Sequence, residues 1–177
     1  MRSVISVVPY DPVWPRRFEE ERLALEAVLA PWLEGGIHHI GSTAIPGLAA
    51  KPIIDMMAGV HNLHDARAAF APLSALAYVH TPHRPNIAHH FSKPSGRVSE
   101  VTHGLHLTEP GSDLWRERLA FRDALRMDPA LVAEYEALKL RLANEHRNDA
   151  AAYTTGKQEL VGRVLANTGI TLGGRSF

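Results

Sequence analysis

The chain has 177 residues, 45% of them apolar, enough to bury one full core and most simply arranged as one domain. Lysine plus arginine equals aspartate plus glutamate at 19 each, so no overall field favours a long polyanion and extended nucleic-acid binding is not indicated. The absence of cysteine excludes disulfides and thiolate metal sites; no apolar run reaches membrane-spanning length or forms a signal peptide, so a cytoplasmic location is expected.

Val4 to Val8 is a short β-branched run that reads as a strand ending at Pro9, after which Asp11-Pro12 predicts a helix cap. Phe18, Leu25, Val28 and Leu29 recur near helical spacing against a polar EEER face, and that helix ends around Pro31 or Gly35. Ile37 to Ile40 reads as a strand, Gly41 to Lys51 as a turn with one helical turn in it, and Pro52 to Val60 as a second strand. A helix from Asn62 or Asp65 to Leu76, bent at Pro72, precedes a strand from Ala77 to His80. Beyond the TPHRPN turn, Ile87 to Ser92 is expected to pair in antiparallel fashion with Arg97 to Thr108 across KPSG. Helical patterns then cover Ser112 to Met127, Pro129 to His146 and Asp149 to Asn167. The expected fold class is α+β, a mixed β-sheet with flanking helices: a sheet-containing part over 1–108 and a C-terminal helical segment over 111–168. Both fall in a single domain spanning 1–170, followed by a frayed tail, 171–177.

The chemistry concentrates in HIGSTAIPGLAAKPIIDMMAGV, residues 39–60. Asp55 lies between Ile53-Ile54 and Met56-Met57, where an unpaired buried carboxylate would cost several kcal/mol, so a metal, a basic partner or an opening onto a cleft must compensate it. The Gly41-Ser42 turn offers backbone N–H groups to an anion. Carboxylate, glycine turn and Lys51 together point to phosphate chemistry.

A Gly-Ser pair, twelve residues, then an Asp among apolar neighbours resembles the signature of the nucleotidyltransferase superfamily. More closely, IGSTAIPGLAAKPIID, the opening VVPYDPVWPRRF, THGLHL, GSDLWRERLAFRDALR and a tail with YEALK and YTTGK resemble the GrpB family from about Val4 to Val164. The resemblance implies a nucleotidyltransferase-like fold in which Gly41, Ser42 and Thr43 hold a nucleotide phosphate and Asp55 holds magnesium or manganese. It also singles out Arg122 as a phosphate contact and His106, within THGLHL, as a catalytic candidate.

The spacing adds its own candidates. Tyr135 and Lys139 are four residues apart, as are Tyr153 and Lys157, so each pair shares a helix face and both pairs can address one ligand. The plain alternative is a tyrosine packed at the core boundary beside a lysine reaching for water. Arg118, Arg122 and Arg126 form a further stripe whose plain reading is a solvated salt-bridge face. In the strand ending at Thr108, alternation puts Glu100, Thr102, Gly104 and His106 on one face and Val101, His103, Leu105 and Leu107 on the other. Glu100 is thus a second catalytic and metal-binding candidate beside Asp55, with His106 as metal ligand, proton acceptor or phosphate donor.

One departure stands out. Active superfamily members usually carry Asp-x-Asp or Asp-x-Glu on this strand, whereas here the second acid is Met57, on the same sheet face as Asp55. A thioether is a poor ligand for a hard cation, so any magnesium or manganese is expected to bind weakly and the two-metal mechanism is in doubt. His38-His39, His89-His90, His103 and His106 suggest a rival transition-metal site, though adjacent strand histidines point to opposite faces and no strong zinc motif is present. Trp14, Trp32 and Trp115 read as packing anchors. The resulting expectation is a protein that binds a nucleotide or phosphorylated small molecule and, if active, transfers a nucleoside monophosphate to an acceptor. The alternative is a non-catalytic ligand-binding or interaction module. Oligomeric state, base preference and acceptor are not encoded legibly.

Overall fold

A computed structural model describes residues 5–94, 101–171 and 173. Its centre is a five-stranded mixed sheet, β1 (Leu33–Ile40), β2 (Ile54–Val60), β3 (Val79–His80), β4 (His89–Pro94) and β5 (Val101–Thr108), in the order β1-β2-β5-β4-β3. Only β2 and β5 run parallel; the other neighbours are antiparallel. The predicted β4–β5 pairing is therefore present. The expected first strand shrinks to a single antiparallel bridge between Val8 and Ala50, closed by Val8 N–H to Ala50 C=O and the reverse bond, each 2.9 Å.

Two layers of helix cover the sheet. α1 (Trp14–Leu29) and the short α2 (Phe70–Ala75) lie on one face, where Leu25, Leu29, Ile54, Met56, Ala58, Leu105, Leu107 and Phe91 form the main core. α1 begins two residues after Pro12, with Asp11 accepting from the Val13 N–H at 2.9 Å, and Trp14 packs edge-on to Tyr10. On the other face stand α3 (Asp113–Met127), α4 (Pro129–Glu145), α5 (Ala150–Thr155) and α6 (Gln158–Asn167). Ser112, Asp128 and Asp149 cap α3, α4 and α5 through their side chains, as the sequence order of cap, proline and apolar period requires.

Two expected elements divide. The helix from Asp65 splits into a 3-10 stretch, Asp65–Ala69, and α2, with Pro72 in the first turn of the latter, where its missing N–H costs nothing. The last helix breaks at Gly156-Lys157, because glycine is a weak helix former and Leu142 presses against its backbone: a Cβ there would lie 2.5 Å from Leu142 Cδ2. Ile170 packs on the α3–α6 core, and in the tail the Gly173 N–H donates to Glu117 at 2.6 Å. Among the described residues no helix is long and apolar enough to cross a membrane.

Met57 has no exposure and packs with Ile40, Ala88 and Leu114, beneath the first turn of α3. It shares a sheet face with Asp55 but is roofed over rather than open to a cleft. Met57→Asp is therefore expected to cost about 3–5 kcal/mol of stability, the range for an uncompensated buried charge. Urea unfolding measures it; an unchanged midpoint would show that position 57 can reach solvent.

Candidate functional site

Strand register assembles the site. Ile40, Asp55, Gly104 and Ser92 lie side by side across β1, β2, β5 and β4, and His38, Met57, His106 and His90 form the next row. Neighbours in register point to the same face, so these eight positions face the C-terminal helices. Asp55 is the one carboxylate among them. It sits half-buried between two glycines: a Cβ on Gly41 would fall 2.8 Å from Oδ2, and one on Gly104 only 2.5 Å from Oδ1. Gly41 also has φ 71° and ψ −174°, a conformation that side-chain-bearing residues essentially do not adopt.

Above this floor is a cleft of about 380 Å³. Lys51, Arg118 and Lys157 enter it from the turn, from α3 and from the α5–α6 break, beside Tyr135 and Tyr153. The Lys51 and Lys157 ammonium groups stand 5.0 and 4.7 Å from the Tyr153 ring centre, close enough for cation–π attraction. Burial pushes Asp55 up to about 6, while Arg118, Lys51 and Lys157 pull it back towards the charged form. Burial lowers Lys157 to about 8, with Lys51 and Arg118 adding to the effect and Asp55 opposing it. Three cations thus face one acid, and their mutual repulsion is relieved by an anion.

The far wall is a group of histidines. The His90 and His106 ring centres are 4.5 Å apart, and His83 lies 6.2 and 6.5 Å from them. Burial lowers all three, so they are uncharged at neutral pH. His90 Nδ1 lies 3.0 Å from the Thr81 carbonyl oxygen, which can only accept; the proton is therefore on Nδ1 and Nε2 carries a lone pair. The loop bearing His83 is fixed by its neighbour Arg84, paired at 2.7 Å with the fully buried Glu117 of α3.

Most predicted residues converge here: Gly41, Ser42, Thr43, Lys51, Asp55, His106, Tyr135, Tyr153 and Lys157 all line the cleft. The Thr43 hydroxyl is already engaged, donating to the Ile53 carbonyl and lying 2.9 Å from His39 Nε2, so its role is to fasten the turn. Two assignments are corrected. Arg122 is turned away from the cleft, bound to Asp123 at 2.7 Å and to the His39 carbonyl at 3.2 Å. Lys139 is buried behind the wall with its ammonium donating to the Ala49 carbonyl, and burial lowers it to about 7. Glu100 lies outside the described residues. The cationic residue missed was Arg118, one helical turn before Arg122 in the same stripe; His83 was missed too, and the local sequence holds no signal for it, whereas His90 was considered only within the rival metal site. The stripe is not merely a solvated salt-bridge face, since Arg126, though exposed, gives two bonds, 3.0 and 2.9 Å, to the Ala44 carbonyl.

The rival histidine site does not assemble. His39 stacks on Phe18 on the opposite sheet face, His89 bonds the Leu63 carbonyl, and His103 lies 3.9 Å from Glu21. Magnesium and manganese, the ions that the sequence resemblance implies, require several oxygen ligands. Among the described residues no group of three or more histidines and acids is arranged to hold a metal ion, and Asp55 is surrounded by cations. The donor set among the described residues does not fit a divalent cation.

Comparison with known proteins places this geometry. The family model described as GrpB protein matches residues 4–167. A UPF0157 protein of Pseudomonas aeruginosa is 41% identical over 166 residues, 91% of this chain and 66% of that protein, so the chain spans just under two thirds of that relative. The glutamate-rich protein GrpB of Alkalihalophilus pseudofirmus is 34% identical, covering 93% of this chain and 95% of that protein. The crystal structure of conserved protein GrpB from Enterococcus faecalis superposes with a TM-score of 0.81 at 29% identity, covering 90% of this chain and 94% of that one. Cid1, solved in complex with its short product ApU, matches at a TM-score of 0.52 and 14% identity over 78% of this chain and 43% of its own, a likeness of fold alone.

The raised Asp55 value carries a sign. The folded protein holds a proton that the unfolded chain releases, so Asp55 contributes stability fully below about 4, lost as pH rises through about 6. Asp55→Asn is expected to gain stability relative to the parent across that window, read as urea midpoints at several pH values. A difference independent of pH would mean that Asp55 titrates normally.

Proposed function

This chain belongs to the GrpB protein family, and we propose that its cleft binds a nucleotide or a related phosphorylated small molecule. The observation that carries this reading is the convergence of Lys51, Arg118 and Lys157 on a cleft with a single carboxylate among the described residues, beside the Gly41-Ser42 turn. An anion with several oxygens neutralises all three cations at once, and Arg118 supplies a planar fork that suits phosphate. Tyr135 and Tyr153 offer hydroxyls and ring edges to the remainder of the ligand. The volume suits a small ligand and is too confined for a folded polymer.

Turnover is a separate matter. Transfer of a nucleoside monophosphate with release of pyrophosphate is the reaction this fold suggests, and the buried Met57 beneath Leu114 favours the second reading, a binding module without two-metal chemistry. Titration with a panel of nucleoside mono-, di- and triphosphates, followed by thermal unfolding, tests the binding. A ligand at about 100 times its Kd is expected to add about 2.7 kcal/mol. A panel with no stabilising member at millimolar concentration would sink the nucleotide reading. Pyrophosphate release with a candidate acceptor would overturn the binding-module reading.

The pH dependence follows from Lys157. Anion affinity is expected to fall as pH rises from about 7 to about 9, because Lys157 gives up its proton near 8. Lys157→Gln should bind more weakly at neutral pH and lose that fall. Parallel profiles for the two proteins would remove Lys157 from the site.

A further inference from the structure

We infer that the polyphosphate part of the ligand is held without a divalent metal, by the cationic wall of Lys51, Arg118 and Lys157 acting where a magnesium ion would otherwise bridge carboxylates and phosphate. The inference rests on the proposed binding function and deepens it. A metal-bridged phosphate needs at least two hard oxygen donors on the protein side, fixed near one point. Among the described residues the sheet supplies one. Of the eight residues in the two rows on this face, only Asp55 is acidic; the positions flanking it are Ile40 and Gly104, and the next row is His38, Met57, His106 and His90. Met57, two residues along the same face, is sealed under Leu114 and Ala88 and has no access to a ligand.

The glycine cradle explains what the carboxylate does instead. Gly41 and Gly104 let both oxygens of Asp55 lie against bare backbone. Arg118 from α3, Lys51 from the turn and Lys157 from the helix break each act on its charge. Asp55 thus offsets part of the positive charge of the three cations over the turn. The histidine wall is neutral and leaves this polarity unchanged. A polyphosphate entering the cleft meets positive charge on the helical side and one negative charge at the floor, the reverse of a surface that collects divalent cations.

Isothermal calorimetry with inorganic tripolyphosphate as the probe, on the whole chain, tests this with excess EDTA and again with excess magnesium. Binding is expected in EDTA, with no tightening by magnesium. Lys157→Gln and, independently, Lys51→Gln are each expected to weaken it by about tenfold; two variants guard against one that fails to fold, which its unfolding transition reveals. Asp55→Asn is expected to leave affinity in EDTA equal or tighter, since it removes the one like charge. Binding only with magnesium, or loss of a magnesium-dependent gain in Asp55→Asn, would make Asp55 a metal ligand and overturn the inference while leaving the binding function intact. Unchanged affinity in both folded lysine variants would overturn it as well, as would nucleotide binding without tripolyphosphate binding. Failure of every nucleotide and of tripolyphosphate in both conditions would remove the binding function itself.

Discussion

The helical layer grips the backbone of the turn. α4 holds Ala49 at both ends of its peptide: Glu136 accepts its N–H at 2.8 Å, and Lys139 donates to its carbonyl. α3 takes two more carbonyls, His39 through Arg122 and Ala44 through Arg126. Hydrogen bonds to charged groups are stronger than neutral ones, about 1.5–3 kcal/mol each when well formed. These contacts set the distance between sheet and helices. Without them the Gly41-Ser42 turn has no fixed relation to Arg118 and Lys157, and Asp55 faces no cations.

Charged residues therefore divide into two kinds. Arg122, Arg126, Glu136 and Lys139 spend their polarity on main-chain groups and build the frame, whereas Arg118, Lys51 and Lys157 keep theirs aimed into the cleft. Lys139 shows how close the two are: it lies 4.9 Å from the Tyr135 ring, and the face of that same tyrosine's helix turns towards the ligand space. Its ammonium is lowered to about 7 by the burial that its structural role demands.

The legible parts of the sequence were those governed by short periods. Alternation on two strands placed Asp55, Gly104 and His106 on one face and Leu105 and Leu107 in the core, and the four-residue Tyr-Lys spacing picked out Tyr135, Tyr153 and Lys157 of the cleft, though Lys139 lies behind its wall. Rotation of α3 was not legible, because it is set by which apolar residues of α4 and α6 meet Phe121 and Leu125. That rotation decides that Arg118 and not Arg122 enters the cleft. The roof over Met57 was likewise a tertiary fact, supplied by Leu114 and Ala88 from distant segments. His83 comes to the site on a loop held by a buried pair 33 residues apart in sequence, Arg84 and Glu117, which no local pattern reveals.

The strand order bears on how the protein comes to exist. β5 is the middle strand of the sheet yet the last to be synthesised, and it carries one of the two glycines that cradle Asp55. On the ribosome, β1 and β2 can form a hairpin-like pair early, but β2 keeps an open edge until β5 emerges and inserts between it and β4. Contacts of such long separation close slowly, and the exposed edge in the interval is a pairing hazard. The cleft is thus the last part of the molecule to be made, completed only after Lys157 has left the exit tunnel, so a nascent chain offers no half-built site to compete for ligand.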